Sequence, residues 1–226
     1  DEDVSKELFK AYRKKGMEIM LESSVEKVDI SGKKVKATVK TAKGEEILEA
    51  DVVLSAVGVS ANIENIGLED VGVKTEKGKV TVDGYYKTNV EGIYAIGDIV
   101  PGQALAHVAM KEAVICVEAF AQKEGKFHHV PEVLDYNNVP GCTYCSPEIA
   151  SVGMTEKQAK DAGHEIKVGK FPFSASGKAS AAGAPEGFVK VIFDAKYGEW
   201  LGTHMIGANV TEIIAQTVSS RKLETT

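Results

Sequence analysis

The feature that most restricts the fold is the stretch Thr88-Asn89-Val90-Glu91-Gly92-Ile93-Tyr94-Ala95-Ile96-Gly97-Asp98, followed closely by Gly102-Gln103-Ala104-Leu105-Ala106-His107. An apolar run from Ile93 to Ile96 ends in Gly97-Asp98, and a helical repeat begins within a few residues. Strand, glycine-acid turn and helix in that order suit α/β architecture, where ligands sit beyond the carboxyl ends of parallel strands. Asp98 would project there to accept hydrogen bonds from ligand hydroxyls, and Gly97 leaves room for a ligand to approach the backbone. The positive N-terminal end of the next helix attracts electron-rich oxygens. A bare Gly-Asp pair is an ordinary turn; only the longer pattern narrows the choice.

The pattern T-x-x-x-G-I-Y-A-I-G-D followed by L-A-H resembles the second flavin motif of the pyridine-nucleotide disulfide oxidoreductase family. Leu105-Ala106-His107 with Glu112-Ala113 is most similar to the dihydrolipoamide dehydrogenase branch of that family. The resemblance implies FAD as a cofactor, with Asp98 holding its ribityl and pyrophosphate region. It also implies that the backbone of Ala104, Leu105, Ala106 and His107 faces the pyrimidine edge of the flavin.

With 226 residues the chain can form one large domain or two modest ones. A net charge of −6 and the lack of a basic block argue against nucleic acid as a partner. No apolar run approaches a membrane span. Three cysteines, at 116, 142 and 145, make no disulfide framework, so a reducing cytoplasm is the expected location.

Residues 1–16 show helical spacing of Val4, Leu8 and Tyr12, with acids first, bases last and Gly16 to end the helix. Met17 to Leu21 reads as a strand. Val25 to Ile30 and Val35 to Lys40 alternate apolar and polar residues around Ser31-Gly32, and Lys43-Gly44 leads to a third segment, so an antiparallel meander is expected. Asp51 to Gly58 is apolar enough for a strand buried on both faces. It resembles the strand that closes the family's NAD domain and ends in A-x-G. That implies NAD as a second cofactor, passing close to Gly58, with Val25 lining its adenosine end. Gly58 reads equally well as a turn glycine ending a strand. Relatives often carry Arg after this glycine, where this chain has Val59, so polar cofactor contacts are not assigned there.

The helix expected over 103–123 has an apolar stripe that includes Cys116, read as a small buried hydrophobe. Strands are expected at 138–144, 148–153, 167–171, 188–193 and 200–206, with a capping box over Thr155-Glu156-Lys157-Gln158. The small-residue segment 174–187 reads as a loop, and a final helix from near Val210 is expected to continue through Thr226. Val139-Pro140, Tyr144 to Gly153, Lys170 to Phe173 and Leu201 to Gly207 resemble the family's interface domain. The expected fold is therefore an α/β dinucleotide-binding remnant followed by an α+β dimerisation domain. The end of the NAD domain would occupy 1–58, the central FAD-contacting segment 59–128, and the interface domain 129–226.

Several family motifs are missing from the sequence: the redox-active C-x-x-x-x-C, both G-x-G-x-x-G loops, and the terminal H-x-H-P-x-x-x-E. The expectation is an internal piece of such an enzyme, neither holding FAD tightly nor turning over by itself, with no catalytic residue of its own. Cys142-Thr143-Tyr144-Cys145 lies in a strand pattern that turns its thiols to opposite faces, and four zinc ligands are not assembled, so no metal is expected. His107, His164 and His204 read as packed or surface histidines. The resemblance further implies a homodimer through 129–226 and, for the parent enzyme, lipoyl-bearing subunits of 2-oxo acid dehydrogenase complexes. The alternatives are a sister flavoprotein disulfide reductase and a non-enzymatic dimerisation module.

Overall fold

The structure is a computed structural model that describes residues 1–225. Two compact units are present, one spanning Glu2–Val59 and the other Ser60 onward together with Asp1.

In the first unit, α1 (Glu2–Lys14) has Glu2 and Asp3 in its first turn and Arg13 and Lys14 in its last, each complementing the helix dipole. Gly16, at φ +84°, ends it by donating to the Arg13 carbonyl at 3.0 Å. The expected meander is present as β1 (Ser24–Asp29), β2 (Val35–Thr41) and β3 (Gly44–Ala50), all antiparallel in that order. Ala37 and Val39 on the central strand are its buried residues, as alternation requires. Two expectations fail here. Met17 to Leu21 is not a strand, and Asp51 to Gly58 is exposed irregular backbone, with Leu54 87% and Val57 96% exposed. A strand buried on both faces needs neighbours for its backbone and layers for its side chains. Among the described residues no strand pairs with this segment.

The second unit begins with the hairpin β4 (Thr75–Glu76) and β5 (Lys79–Val80), a 3-10 turn at Gly97–Ile99, and α2 (Ala106–Lys123). Val73, Val80, Ala95 and Val100 form the core under the turn. After a 3-10 turn at Tyr136–Asn138 come β6 (Gly141–Thr143), β7 (Glu148–Gly153), α3 (Glu156–Asp161), β8 (Ile166–Pro172), α4 (Gly177–Ala181), β9 (Phe188–Asp194), β10 (Trp200–Gly207) and α5 (Val210–Lys222). The five strands form an antiparallel sheet in the order β6-β7-β10-β9-β8. Val210 and Ile214 of α5 pack on Ala150, Val152 and Met205 of this sheet. Ala159 of α3 packs with Ile192 and Leu201. The capping box is realised in both directions: Gln158 N–H donates to Thr155 Oγ1 at 3.2 Å, and Thr155 N–H donates to Gln158 Oε1 at 2.9 Å.

The segment 174–187 is not all loop, because Ser176 accepts from the Ala179 N–H and starts α4. The final helix stops at Lys222, where Leu223 and Glu224 donate to Ser219 and Arg221 carbonyls and close the last turn; the expected continuation to Thr226 lies partly outside the described residues.

Gly187 closes the sheet against β10. At φ +97°, a Cβ there would lie 1.8 Å from the Ile206 carbonyl oxygen. Gly187→Ala is expected to destabilise the protein by about 1–3 kcal/mol, read as a lower urea midpoint at unchanged slope.

Candidate functional site

The motif that opened the sequence reading forms one tight structure. Ile93 to Ile96 does not enter a parallel sheet; this corrects the expected strand-end placement of Asp98. Instead the run folds back on residues 86–88: Thr88 N–H donates to Ile93 O and Ala95 N–H to Tyr86 O, both at 3.0 Å, with Lys87 bridged antiparallel to Tyr94. The reason lies in the turn: Thr88 Oγ1 donates to the Ile93 carbonyl at 2.9 Å, and Gly92 takes φ +81°, which together reverse the chain.

Gly97-Asp98-Ile99 then makes the 3-10 turn. Gly97 has φ +76°, and a Cβ on it would sit 3.3 Å from the Ala109 Cβ of α2, so the turn lies directly against that helix. Asp98 is exposed. Its carbonyl and that of Val100 accept from Lys79 Nζ at 2.8 and 3.1 Å, leaving the carboxylate available.

Leu105 caps α2 in extended conformation without a side-chain hydrogen bond, and its carbonyl accepts from Val108 and Ala109. The N–H groups of Ala106 and His107 precede the helical ladder and have no partner among the described residues. Ala104, Ala106 and His107 are exposed and Leu105 is half-buried. The structure therefore packs the turn that bears the exposed Asp98 against an 18-residue helix whose positive end carries the Ala106 and His107 N–H groups. That donor and acceptor set fits a ligand carrying both hydroxyls and electron-rich oxygens, as FAD does.

The residue that ties these parts together is Glu112, 1% exposed on α2. Its Oε2 accepts the Gly97 N–H at 2.6 Å, and its Oε1 accepts the Tyr136 hydroxyl at 2.5 Å. Tyr86 lies 3.3 Å from Tyr136, oxygen to oxygen. Burial, then the hydrogen bond to Glu112, pushes the Tyr136 phenol far up, and burial raises Tyr86 as well, so both stay protonated. Sequence reading saw Glu112 only as an acid within a motif. A usable signal was present: Val108, Glu112 and Ile115 lie on one helical stripe, and an acid there needs partners.

The NAD candidates lie in the first unit. Val25 is on β1, 60% exposed, opposite Val39. Gly58 has φ +119° with no atom within 4 Å of a built Cβ, so its backbone is open to approach.

The three cysteines are free. Burial raises the thiols of Cys116 and Cys142, which keeps them protonated and poorly nucleophilic. Cys142 lies in β6 while Cys145 follows its end and contacts the Pro147 carbonyl at 3.1 Å. Among the described residues no group of His, Cys, Asp and Glu could hold a metal, and no helix is long and apolar enough to cross a membrane.

Comparison with known proteins places the chain beside flavoprotein and pyridine-nucleotide enzymes. The family profile described as pyridine nucleotide-disulphide oxidoreductase matches residues 1–113, and that of its dimerisation domain matches 139–226. Dihydrolipoyl dehydrogenase of Rhizobium etli is 49% identical over the whole chain, and that of Zymomonas mobilis is 44% identical. Leghemoglobin reductase of Glycine max is 43% identical over 95% of the chain. These matches cover 46%, 48% and 40% of the respective relatives, so the chain spans about half their length. The HOCl-induced flavoprotein disulfide reductase RclA from Escherichia coli shares the fold at a TM-score of 0.86 and 23% identity, covering 99% of this chain and 49% of that one.

Proposed function

Because the chain belongs to the pyridine nucleotide-disulphide oxidoreductase family, we propose that it supplies the cofactor-facing and dimer-forming part of a dihydrolipoyl dehydrogenase. The observation that carries this reading is 49% identity along the whole chain to an enzyme of that name, with the Asp98-bearing turn packed against α2. FAD and NAD, when bound, would supply the electron transfer from dihydrolipoamide. Asp98 accepts hydrogen bonds from cofactor hydroxyls. The Ala106 and His107 N–H groups donate to electron-rich oxygens at the flavin edge, with Ala104 and Leu105 shaping the approach. Val25 and Gly58 offer apolar surface and open backbone to NAD.

No residue of this chain is assigned a catalytic role. The sheet-bearing part, 129–226, pairs two copies, and lipoyl-bearing subunits of a 2-oxo acid dehydrogenase complex are the external partners. Three free thiols suit a reducing compartment such as the cytoplasm.

The test is a chimera in which this chain replaces the matching stretch of the Rhizobium etli relative. Flavin absorbance and dihydrolipoamide-dependent NADH formation are expected; a colourless, folded chimera would sink the reading. In that chimera Asp98→Ala should weaken FAD on the order of ten- to a hundredfold, the worth of a hydrogen bond to a charged group, measured as flavin content after gel filtration. The 43% identity to leghemoglobin reductase supports a second reading, a sister flavoprotein disulfide reductase with another substrate. A flavin-loaded chimera that ignores dihydrolipoamide would favour it.

A further inference from the structure

We propose that Glu112, braced by Tyr136, is the positioning residue that presets the flavin-facing surface, a role that rests on the flavin reading above. A carboxylate at 1% exposure is costly without compensation. Here the compensation comes from a backbone N–H and a phenol, with both carboxylate oxygens engaged. Charge-assisted hydrogen bonds of this kind are short and about twice as strong as neutral ones. The backbone N–H so engaged belongs to Gly97, the residue immediately before Asp98.

The turn is held from both sides. Glu112 of α2 grips its entry at Gly97, while Lys79 of β5 grips its exit through the Asp98 and Val100 carbonyls. The same helix that carries Glu112 also presents the Ala106 and His107 N–H groups. One side chain thus fixes the distance between the Asp98 acceptor and the helix donors before any ligand arrives. Preorganisation of this sort strengthens binding by removing the ordering cost.

A second observation marks the same place. Tyr86, 3% exposed, sits at φ +66°, a strained conformation for a bulky side chain. Its carbonyl accepts from Ala95 in the run leading to the turn, and its hydroxyl meets Tyr136. The backbone is thus held in an unfavourable state at the point where the turn is aimed.

The experiment uses the chain itself, isotope-labelled, with amide exchange and FAD titration followed residue by residue. FAD should shift the Gly97, Ala106 and His107 amides even where affinity is weak. Glu112→Ala should speed exchange at Gly97 about tenfold beyond any change at Ala95, and raise the FAD dissociation constant about tenfold or more. Glu112→Gln should restore both to within about threefold, because its amide oxygen can accept from Gly97 while its NH2 donates to the Tyr136 oxygen. A Gly97 exchange change that merely tracks Ala95 would reduce Glu112 to a general stabiliser and overturn the proposal. If Glu112→Ala does not fold, Tyr136→Phe decides, since it deletes one hydroxyl: it must loosen Gly97 and weaken FAD, or the proposal falls. Wild-type shifts that persist unchanged in Glu112→Ala overturn this inference alone. No FAD shifts at these amides in the wild type overturn this inference, whereas a colourless, folded chimera is the result that overturns the flavin reading.

Discussion

Lys190→Met should lower stability by about 3–5 kcal/mol, the usual result of removing one partner from a buried ion pair. Lys190 is 2% exposed in the middle of β9. Its ammonium lies 3.1 Å from both carboxylate oxygens of Asp1 and 2.8 Å from Glu156 Oε2. The Asp1 side chain is equally buried, at 2%. Glu156 retains Lys160 at 2.6 Å, a hydrogen bond that, ahead of Lys190, holds its carboxyl below the usual range. Asp1 meets Lys190 through both carboxylate oxygens and so loses two hydrogen bonds when Lys190 goes. The double variant Asp1→Asn, Lys190→Met should recover most of the loss, because a buried pair replaced by neutral groups of similar size is often neutral. Urea denaturation of the three proteins measures this. A single variant within about 1 kcal/mol of wild type would mean that the pair behaves as a hydrated surface contact.

Lys190 also shows what the sequence made legible and what it did not. Phe188, Lys190, Ile192 and Asp194 fall on one face by alternation, and all four are buried. The period of two was visible, so a lysine and an aspartate on a core face could have been flagged. Their partners could not, since Asp1 is 189 residues away from Lys190. The same division applies elsewhere. The meander β1–β3 and the Thr155 capping box were readable because alternation, turn glycines and the i to i+3 bond are local. Asp51 to Gly58 misled because an apolar run reports only the wish to be buried, while becoming a strand depends on neighbours. The α4 turn was hidden by small residues whose helix start rests on one Ser176 hydrogen bond. At the candidate site, Asp98 and 104–107 were legible as a linear motif. The contacts that hold them were not: Glu112 meets Tyr136 across 24 residues and Lys79 reaches Asp98 across 19.

His204 should make the protein lose about 3 kcal/mol of stability as pH falls from about 6.5 to about 4. The side chain is 2% exposed on β10, facing Ser151 of β7 and Lys190 of β9 in register. Nε2 lies 2.9 Å from the Met154 carbonyl and so carries the proton of the neutral ring, while Nδ1 is buried without a partner. Protonation would place a hydrogen on Nδ1 with no acceptor, beside the Lys190 ammonium. Burial first, then the N-terminal amine and Lys190, lowers the folded pKa to about 4 against the Met154 carbonyl, which raises it. The unfolded chain keeps the ordinary value near 6.5. Above that value both states are neutral and stability is flat. Below it the unfolded chain takes up a proton that the folded chain refuses, so stability falls with a slope of one proton until about pH 4. The carboxyls held low, Glu156 and Asp194, lose their contribution only when pH drops through and below the carboxylate range, at the acid edge of this window. His204→Gln keeps a donor for Met154 and cannot titrate. Its urea-derived stability should therefore be flat between pH 6.5 and 4.5 where the wild type slopes. Parallel pH profiles for the two proteins would assign the acid sensitivity to other groups and free His204 of this role.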